Sequence, residues 1–245
     1  MTNSFVIIVP ARSGSTRLPN KPLAMINGRS VISRIIDLAN SSNASNVYIA
    51  TDSDEIKDHC ESHGANVVMT SSNHISGMDR VAEAAKILDL SPEIPILNLQ
   101  GDEPFMPVQI INQLPLMIST DTPIATACIK FSDEMDFSSP HEVKVVRSLS
   151  KKAMYFSRAI IPNSFTAEYK NYLKHLGIYA YTNETLQHLS TLKPTVNEQS
   201  EKLEQLRFLD NGFNIFVKEF KCEAPIGIDT PEDLEAAIIF AKKND

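Results

Sequence analysis

The chain has 245 residues, 42% hydrophobic and 22% charged, which is enough to bury the core of one large domain. A formal net charge of -7 excludes a protein that wraps a nucleic-acid backbone, because neutralising phosphates takes a basic face; any polyanion it binds must be small and met locally. The apolar runs are too short to cross a bilayer, and Cys60, Cys128 and Cys222, scattered and outside any C-x-x-C spacing, indicate neither a disulfide framework nor a zinc site.

Phe5 to Val9 reads as a first strand, so near Met1 that no secretory leader fits before it, and a cytoplasmic location is expected. Ser30 to Asn40 carries Val31, Ile32, Ile35, Ile36 and Ala39 at helical spacing; Val47 to Ala50 returns to β composition, and Thr51-Asp52-Ser53 opens another helix. Val67 to Met69, a helix from Asp79 to Leu88, a strand from Ile94 to Leu99 and a helix after Pro107 continue the alternation. It predicts an α/β fold of Rossmann-like type, with a mostly parallel central sheet and helices on both faces. From about 124 to 190 strand-rich segments (Ile124 to Ile129, Val143 to Val146, Leu176 to Tyr181) replace the alternation, which predicts a small inserted lobe within a single domain. Glu198 to Leu209 is expected to be helical, Ile215 to Phe220 a strand, and Pro231 to Lys243 a closing helix.

In an open parallel sheet the ligand sits outside the carboxyl ends of the strands. Two loops lie at such ends. Pro10-Ala11-Arg12-Ser13-Gly14-Ser15-Thr16-Arg17-Leu18-Pro19-Asn20-Lys21 has neither the Walker A ending nor three dinucleotide glycines, yet Arg12, Arg17 and Lys21 with Ser13, Ser15, Thr16 and backbone N-H groups suit a triphosphate; a solvated basic surface loop remains the alternative. Gln100-Gly101-Asp102-Glu103-Pro104 follows a buried strand, where a carboxylate either holds a hard cation or makes a turn. In Asp229-Thr230-Pro231-Glu232-Asp233, Thr230 reads as N-cap, Pro231 as first helical residue and Asp233 as reciprocal partner, which leaves the Asp229 carboxylate available. Arg80, on the first helical turn after His74-Ile75-Ser76-Gly77-Met78-Asp79, is an anion or base contact or a solvent-facing arginine. Arg158, His175, Tyr179, Glu204 and Gln205 are polar groups among apolar neighbours, each open to a structural or a ligand role.

Taken together, Pro10-Ala11-Arg12, Ser15-Thr16-Arg17-Leu18-Pro19, Lys21-Pro22-Leu23, Gln100-Gly101-Asp102-Glu103-Pro104, Tyr155-Phe156-Ser157-Arg158, His175-Leu176-Gly177-Ile178-Tyr179, Leu203-Glu204-Gln205-Leu206-Arg207 and Ile228-Asp229-Thr230-Pro231-Glu232-Asp233-Leu234 resemble the 3-deoxy-manno-octulosonate cytidylyltransferases, in order and over nearly the whole chain. The resemblance implies a homodimeric nucleotidyltransferase with Mg2+ as cofactor, which turns CTP and an octulosonate into the CMP-sugar and pyrophosphate for lipopolysaccharide assembly. By motif, Pro10, Ala11, Arg12, Ser15, Thr16, Arg17 and Lys21 would cradle the triphosphate, and Arg80 and Gln100 would help to place the nucleotide. Asp102 and Asp229 would hold Mg2+, Lys21 and Arg17 would stabilise departing pyrophosphate, and Arg158, His175, Tyr179, Glu204 and Gln205 would contact the sugar. A cytidylyltransferase for another ulosonate such as sialic acid, and a nucleotide-binding protein of the same fold without turnover, are the competing readings.

The chain also departs from that pattern. Met78 stands where the family commonly has threonine, Asn163 where it has tryptophan, and Asn197-Glu198-Gln199-Ser200-Glu201 replaces Leu-Glu-His-Ile-Glu. Polar replacements of this kind suit a ligand with a different polar end, such as the 8-amino-8-deoxy analogue of the octulosonate.

Overall fold

The first strand, β1 (Val6–Ala11), is apolar and almost wholly buried, as a central parallel strand must be. The protein is described here from a computed structural model, covering residues 4–12, 14, 17–74, 76–132, 135–165 and 171–244. A short hairpin follows the first loop, β2 (Met25–Ile26) and β3 (Arg29–Ser30), turned by Asn27 (φ 48°) and Gly28 (φ 78°). Both left-handed angles suit the Asn-Gly turn that brings two strands back with the right twist. Then come α1 (Val31–Asn40), β4 (Asn46–Thr51), α2 (Asp54–Ser62), β5 (Asn66–Met69), α3 (Gly77–Ile87), β6 (Pro95–Asn98) and α4 (Val108–Gln113). The second half contains β7 (Ile124–Lys130), β8 (Lys144–Arg147), β9 (Ala153–Ser157), β10 (Leu173–Thr182), α5 (Asn183–Ser190), α6 (Val196–Glu201), α7 (Gln205–Asp210), β11 (Ile215–Glu219) and α8 (Pro231–Asn244).

The main sheet runs β11-β7-β10-β6-β1-β4-β5, with β8 and β9 hung from β10. β11 with β7, and β6, β1, β4 and β5 among themselves, are parallel; β10 is antiparallel to both neighbours. One buried layer packs α1, α2, α4 and α8 on one face, the other packs α3, α5 and α7 on the opposite face. The expected architecture is therefore present. From β1 the chain winds outward to β4 and β5, then returns to place β6 on the other side of β1, so the strand order reverses between β1 and β6. The crevice at that reversal is where an open sheet leaves room for a ligand, and the loops after β1 and β6 flank it.

Segment 124–190 is the strand-rich part of the chain. Its first and last strands, β7 and β10, complete the central sheet, and only the β8–β9 hairpin projects. The helix expected from Glu198 to Leu209 is divided: Lys202 takes left-handed angles (φ 54°), ends α6, and lets Leu203 N-H bond the Glu198 carbonyl before α7 starts.

Candidate active site

The loops after β1 and β6 are held against each other by backbone. A Cβ on Gly101 would lie 2.5 Å from the Pro10 carbonyl oxygen, so only glycine lets the two strands' ends approach this closely. Beyond that contact Lys21, 13% exposed at its side chain, reaches into the gap. Its ammonium donates to Asp102 Oδ2 at 2.7 Å and to Asp229 Oδ1 at 2.9 Å, although the three residues come from distant parts of the chain. Asp229 Oδ2 also meets Arg17 Nη2 at 3.2 Å. Asp229 is free to do this because the helix cap is made by others. Thr230 Oγ1 accepts from Asp233 N-H at 3.2 Å, and Asp233 Oδ2 accepts from the N-H groups of Asp229 and Thr230.

Burial works to lower the Lys21 pKa, but the two carboxylates outweigh it and hold the ammonium above its ordinary value. For Asp229 burial works the other way, and Lys21 with Arg17 brings its carboxyl below the usual range. Behind the pair lies Glu103, whose burial, with the charge of Asp102, pushes its carboxyl up to about 8, and whose buried Oε2 has no hydrogen-bond partner among the described residues.

Two cavities share this point. One, of about 490 Å3, is lined by Pro10, Ala11, Arg12, Arg17, Lys21, Arg80 and Gln100, and the other, of about 520 Å3, by His175, Tyr179, Glu204 and Gln205; Gly77, Gln100, Asp102 and Asp229 line both. The first is the cationic one. Within it Arg80 is held rather than loose: Nη1 donates to Thr70 Oγ1 at 2.6 Å and Nη2 pairs with Asp52 at 3.1 Å. Gln100 stands on the partition, its Nε2 donating to the Gly177 carbonyl at 3.2 Å, beyond the end of the ladder between β10 and β6.

In the second cavity His175 is buried, its Nε2 2.9 Å from Thr126 Oγ1, and burial lowers its pKa to about 3; it is a neutral hydrogen-bonding group, not a cation. Glu204 sits at the start of α7, just after the left-handed break, and its buried Oε1 lies 3.8 Å from Arg207 Nη2. Burial raises the pKa of this carboxyl and of the Tyr179 phenol.

Not every expected residue joins. Arg158 lines neither cavity: its Nε donates to the Glu201 carbonyl at 2.7 Å and its Nη1 to the Pro140 carbonyl at 2.9 Å, so its fork closes a loop. A lone arginine in a sequence does not reveal whether backbone carbonyls will claim it. Ser13, Ser15 and Thr16 lie outside the described residues. Of the departures from the family pattern, Met78 alone lines the second cavity. Glu198 instead pairs with Arg207 and caps Thr195, and Glu201 accepts from Ser157 Oγ at 2.6 Å and Arg158 N-H at 2.9 Å. Residues the sequence reading passed over are Asn98 and Lys174, which line the same cavity, and fully buried Lys144, whose ammonium bonds the carbonyls of Ser139, Glu142 and Arg158 and so fixes one cavity wall. Asn98 carried a signal, a polar residue amid the apolar Ile96-Leu97 and Leu99.

The donor chemistry fits Mg2+. Asp102 and Asp229 offer hard carboxylate oxygens at one point, both partly open to solvent, and among the described residues no third acidic, histidine or cysteine side chain joins them. Mg2+ keeps waters and substrate phosphates in its shell and takes only one or two protein carboxylates.

Residues 6–220 match the cytidylyltransferase family model. The chain is 43% identical over 236 residues to a 3-deoxy-manno-octulosonate cytidylyltransferase of Polynucleobacter necessarius, covering 94% of this chain and 93% of that one. It is 41% identical over 237 residues to the enzyme of that name from Francisella tularensis subsp. novicida, covering 94% and 95%. Its fold superposes with a TM-score of 0.92 on a solved structure of CMP:2-keto-3-deoxy-manno-octonic acid synthetase complexed with CTP, at 36% identity over 99% of this chain and 100% of that one. A cytidylyltransferase from Leptospira borgpetersenii, at 18% identity and TM-score 0.62, shares the fold alone. With its cationic cavity, its carboxylate pair and these relatives spanning its length, the chain belongs to the cytidylyltransferase family.

Proposed function

We propose that this protein transfers the cytidylyl group of CTP to an eight-carbon 3-deoxy-manno-octulosonate, giving the CMP-sugar and pyrophosphate for lipopolysaccharide assembly. The observation that carries the reading is Lys21 bridging Asp102 and Asp229 on the partition between a cavity lined by Arg12, Arg17 and Arg80 and one lined by His175, Tyr179, Glu204 and Gln205. CTP lies in the cationic cavity, its triphosphate met by Arg12, Arg17 and Lys21, and the ulosonate lies in the other, met by His175, Tyr179, Glu204 and Gln205. The sugar's anomeric oxygen bonds to the α-phosphorus, the bond from that phosphorus to the pyrophosphate oxygen breaks, and the hydroxyl proton is released. Both reactants are anions, so the first task of the site is to remove their repulsion. Lys21 and Arg17 stabilise the charge that gathers on leaving pyrophosphate. Asp102 and Asp229 would hold Mg2+, which, when bound, neutralises phosphate charge and lowers the pKa of a coordinated hydroxyl. His175, kept neutral, orients the sugar by hydrogen bonding without competing for the phosphates.

A CTP-consuming step belongs where CTP is kept, in the cytoplasm. Among the described residues no helix is long and apolar enough to cross a membrane. Homodimerisation through the projecting hairpin and the segment after it is supported by exposed Leu149, Met154, Ile160 and Phe165 and by the outer edge of β9, a combination that chains usually cover. Light scattering across a concentration series tests it.

The deciding experiment for the reaction is pyrophosphate release with CTP, Mg2+ and a panel of ulosonates. Turnover of the octulosonate is expected, and no release with any sugar would refute the reading. Running the 8-hydroxy and 8-amino octulosonates side by side settles which is preferred, and sialic acid in the same panel tests the competing ulosonate.

A further inference from the structure

The floor of the sugar-side cavity holds a polar group that the proposed reaction leaves without a task. Asn98 ends β6 between Leu97 and Leu99, both buried in the opposite core layer, so alternation turns its side chain to the face that carries the cavity. It is 3% exposed. Its Nδ2 donates to Tyr181 Oη at 2.9 Å, and Tyr179 stands directly across the antiparallel ladder. Its Oδ1 is buried and, among the described residues, accepts nothing. Buried amide oxygens are seldom left so, and an unmatched acceptor in a cavity wall fits a ligand that presents a donor.

Position along the chain says which part of the ligand. Asn98, Gln100 and Asp102 occupy alternate positions and line one cavity, and Asp102 marks the reacting end through Lys21 and Asp229. Asn98 lies four residues back from that end, behind Gln100 on the partition. Resting on the reaction proposed above, we propose that Asn98 is a specificity-determining residue whose Oδ1 accepts a hydrogen bond from the exocyclic hydroxyl tail of the ulosonate, at the end remote from the reacting carbon.

The test compares kcat/KM of the full chain, with CTP and Mg2+, for the octulosonate and its 7-deoxy and 8-deoxy analogues. Wild type should disfavour at least one deoxy sugar by about 10- to 100-fold, since a site built around a hydroxyl leaves its own acceptor unmatched when that hydroxyl is missing. In Asn98→Leu this preference should shrink to within about threefold, through loss on the parent sugar, with KM for CTP unchanged. Asn98→Asp keeps an acceptor and should retain the preference, as should Tyr181→Phe, which removes the amide's protein partner and spares Oδ1. If Asn98→Leu does not fold, Asn98→Ser removes the same acceptor at smaller volume. Equal use of all three sugars by wild type, an unchanged ratio in the Leu or Ser variant, or a Tyr181→Phe variant as indiscriminate as Asn98→Leu would each overturn the assignment while the reaction stands. Turnover of no ulosonate by wild type would overturn the reaction and the assignment with it.

Discussion

Removing the Lys21 ammonium tests the electrostatics of the site most directly. Lys21→Met keeps the length of the stem and leaves Asp102 and Asp229, each now bonded to one ammonium from opposite sides, facing one another. Two like charges at about 5 Å repel by about 1 kcal/mol in a water-like medium and about 3 kcal/mol at an effective dielectric near 20. Both carboxylates are partly open to solvent, 32% and 48% at the side chain, so the lower half of that range applies. The variant should therefore lose about 1–2 kcal/mol of stability at pH 7.5 in urea denaturation without divalent ions. The loss should shrink in acid, where the repulsion between the two side chains is relieved. Mg2+ at millimolar concentration should restore most of it, while wild type without CTP gains less, since its carboxylates are already neutralised. Turnover should drop by 100-fold or more. A variant as stable as wild type at pH 7.5, with no response to Mg2+, would refute the idea that Lys21 holds together two carboxylates that otherwise repel.

Asp102→Asn and Asp229→Asn should each cut kcat by about 100- to 1,000-fold while the chain still folds cooperatively, measured by pyrophosphate release and denaturation; near-normal rates in both would discard the metal assignment. His175 titrates near 6.5 in an unfolded chain and at about 3 when buried, so between those values only the unfolded state takes up the proton and stability falls with falling pH. Wild type should lose about 2 kcal/mol more than His175→Gln between pH 7.5 and 5, and parallel curves would count against the buried neutral imidazole. Gly101→Ala must push its new methyl against the Pro10 carbonyl, 2.5 Å away, so it should destabilise by about 1–3 kcal/mol and raise KM for CTP, since it displaces the loop that carries Arg12. Lys144→Met leaves three part-buried carbonyls without their donor and should cost about 1–3 kcal/mol, read by urea denaturation.

Apolar periodicity and capping chemistry are local, and they were legible. Val6 to Val9, the Ser30 cap with its helix and the Thr230-Pro231-Asp233 box each announce their structure in a few residues, because strands alternate, helices repeat and caps need fixed side chains at fixed offsets. The left-handed Lys202 that divides α6 from α7 carries no such mark, since lysine is an unremarkable helix former, and it is this break that turns Glu204 and Gln205 toward the cavity. For 124–190, strand composition does not tell which strands project and which join the main sheet, as β7 and β10 do.

What the sequence alone determined, then, is the set of chemical groups and the local elements that carry them: a basic loop, two carboxylates at element ends, and an alternation that forces a doubly wound sheet. Which groups meet was decided in three dimensions. Lys21, Asp102 and Asp229 are brought together because strand order reverses beside β1, and backbone at Gly101 comes close enough to align the loops. Arg158 was drawn to backbone carbonyls, and Asn98 was left with a bare acceptor facing a cavity, for the same reason. A side chain's partners depend on which surfaces remain after packing, and that choice is made between residues far apart in the chain.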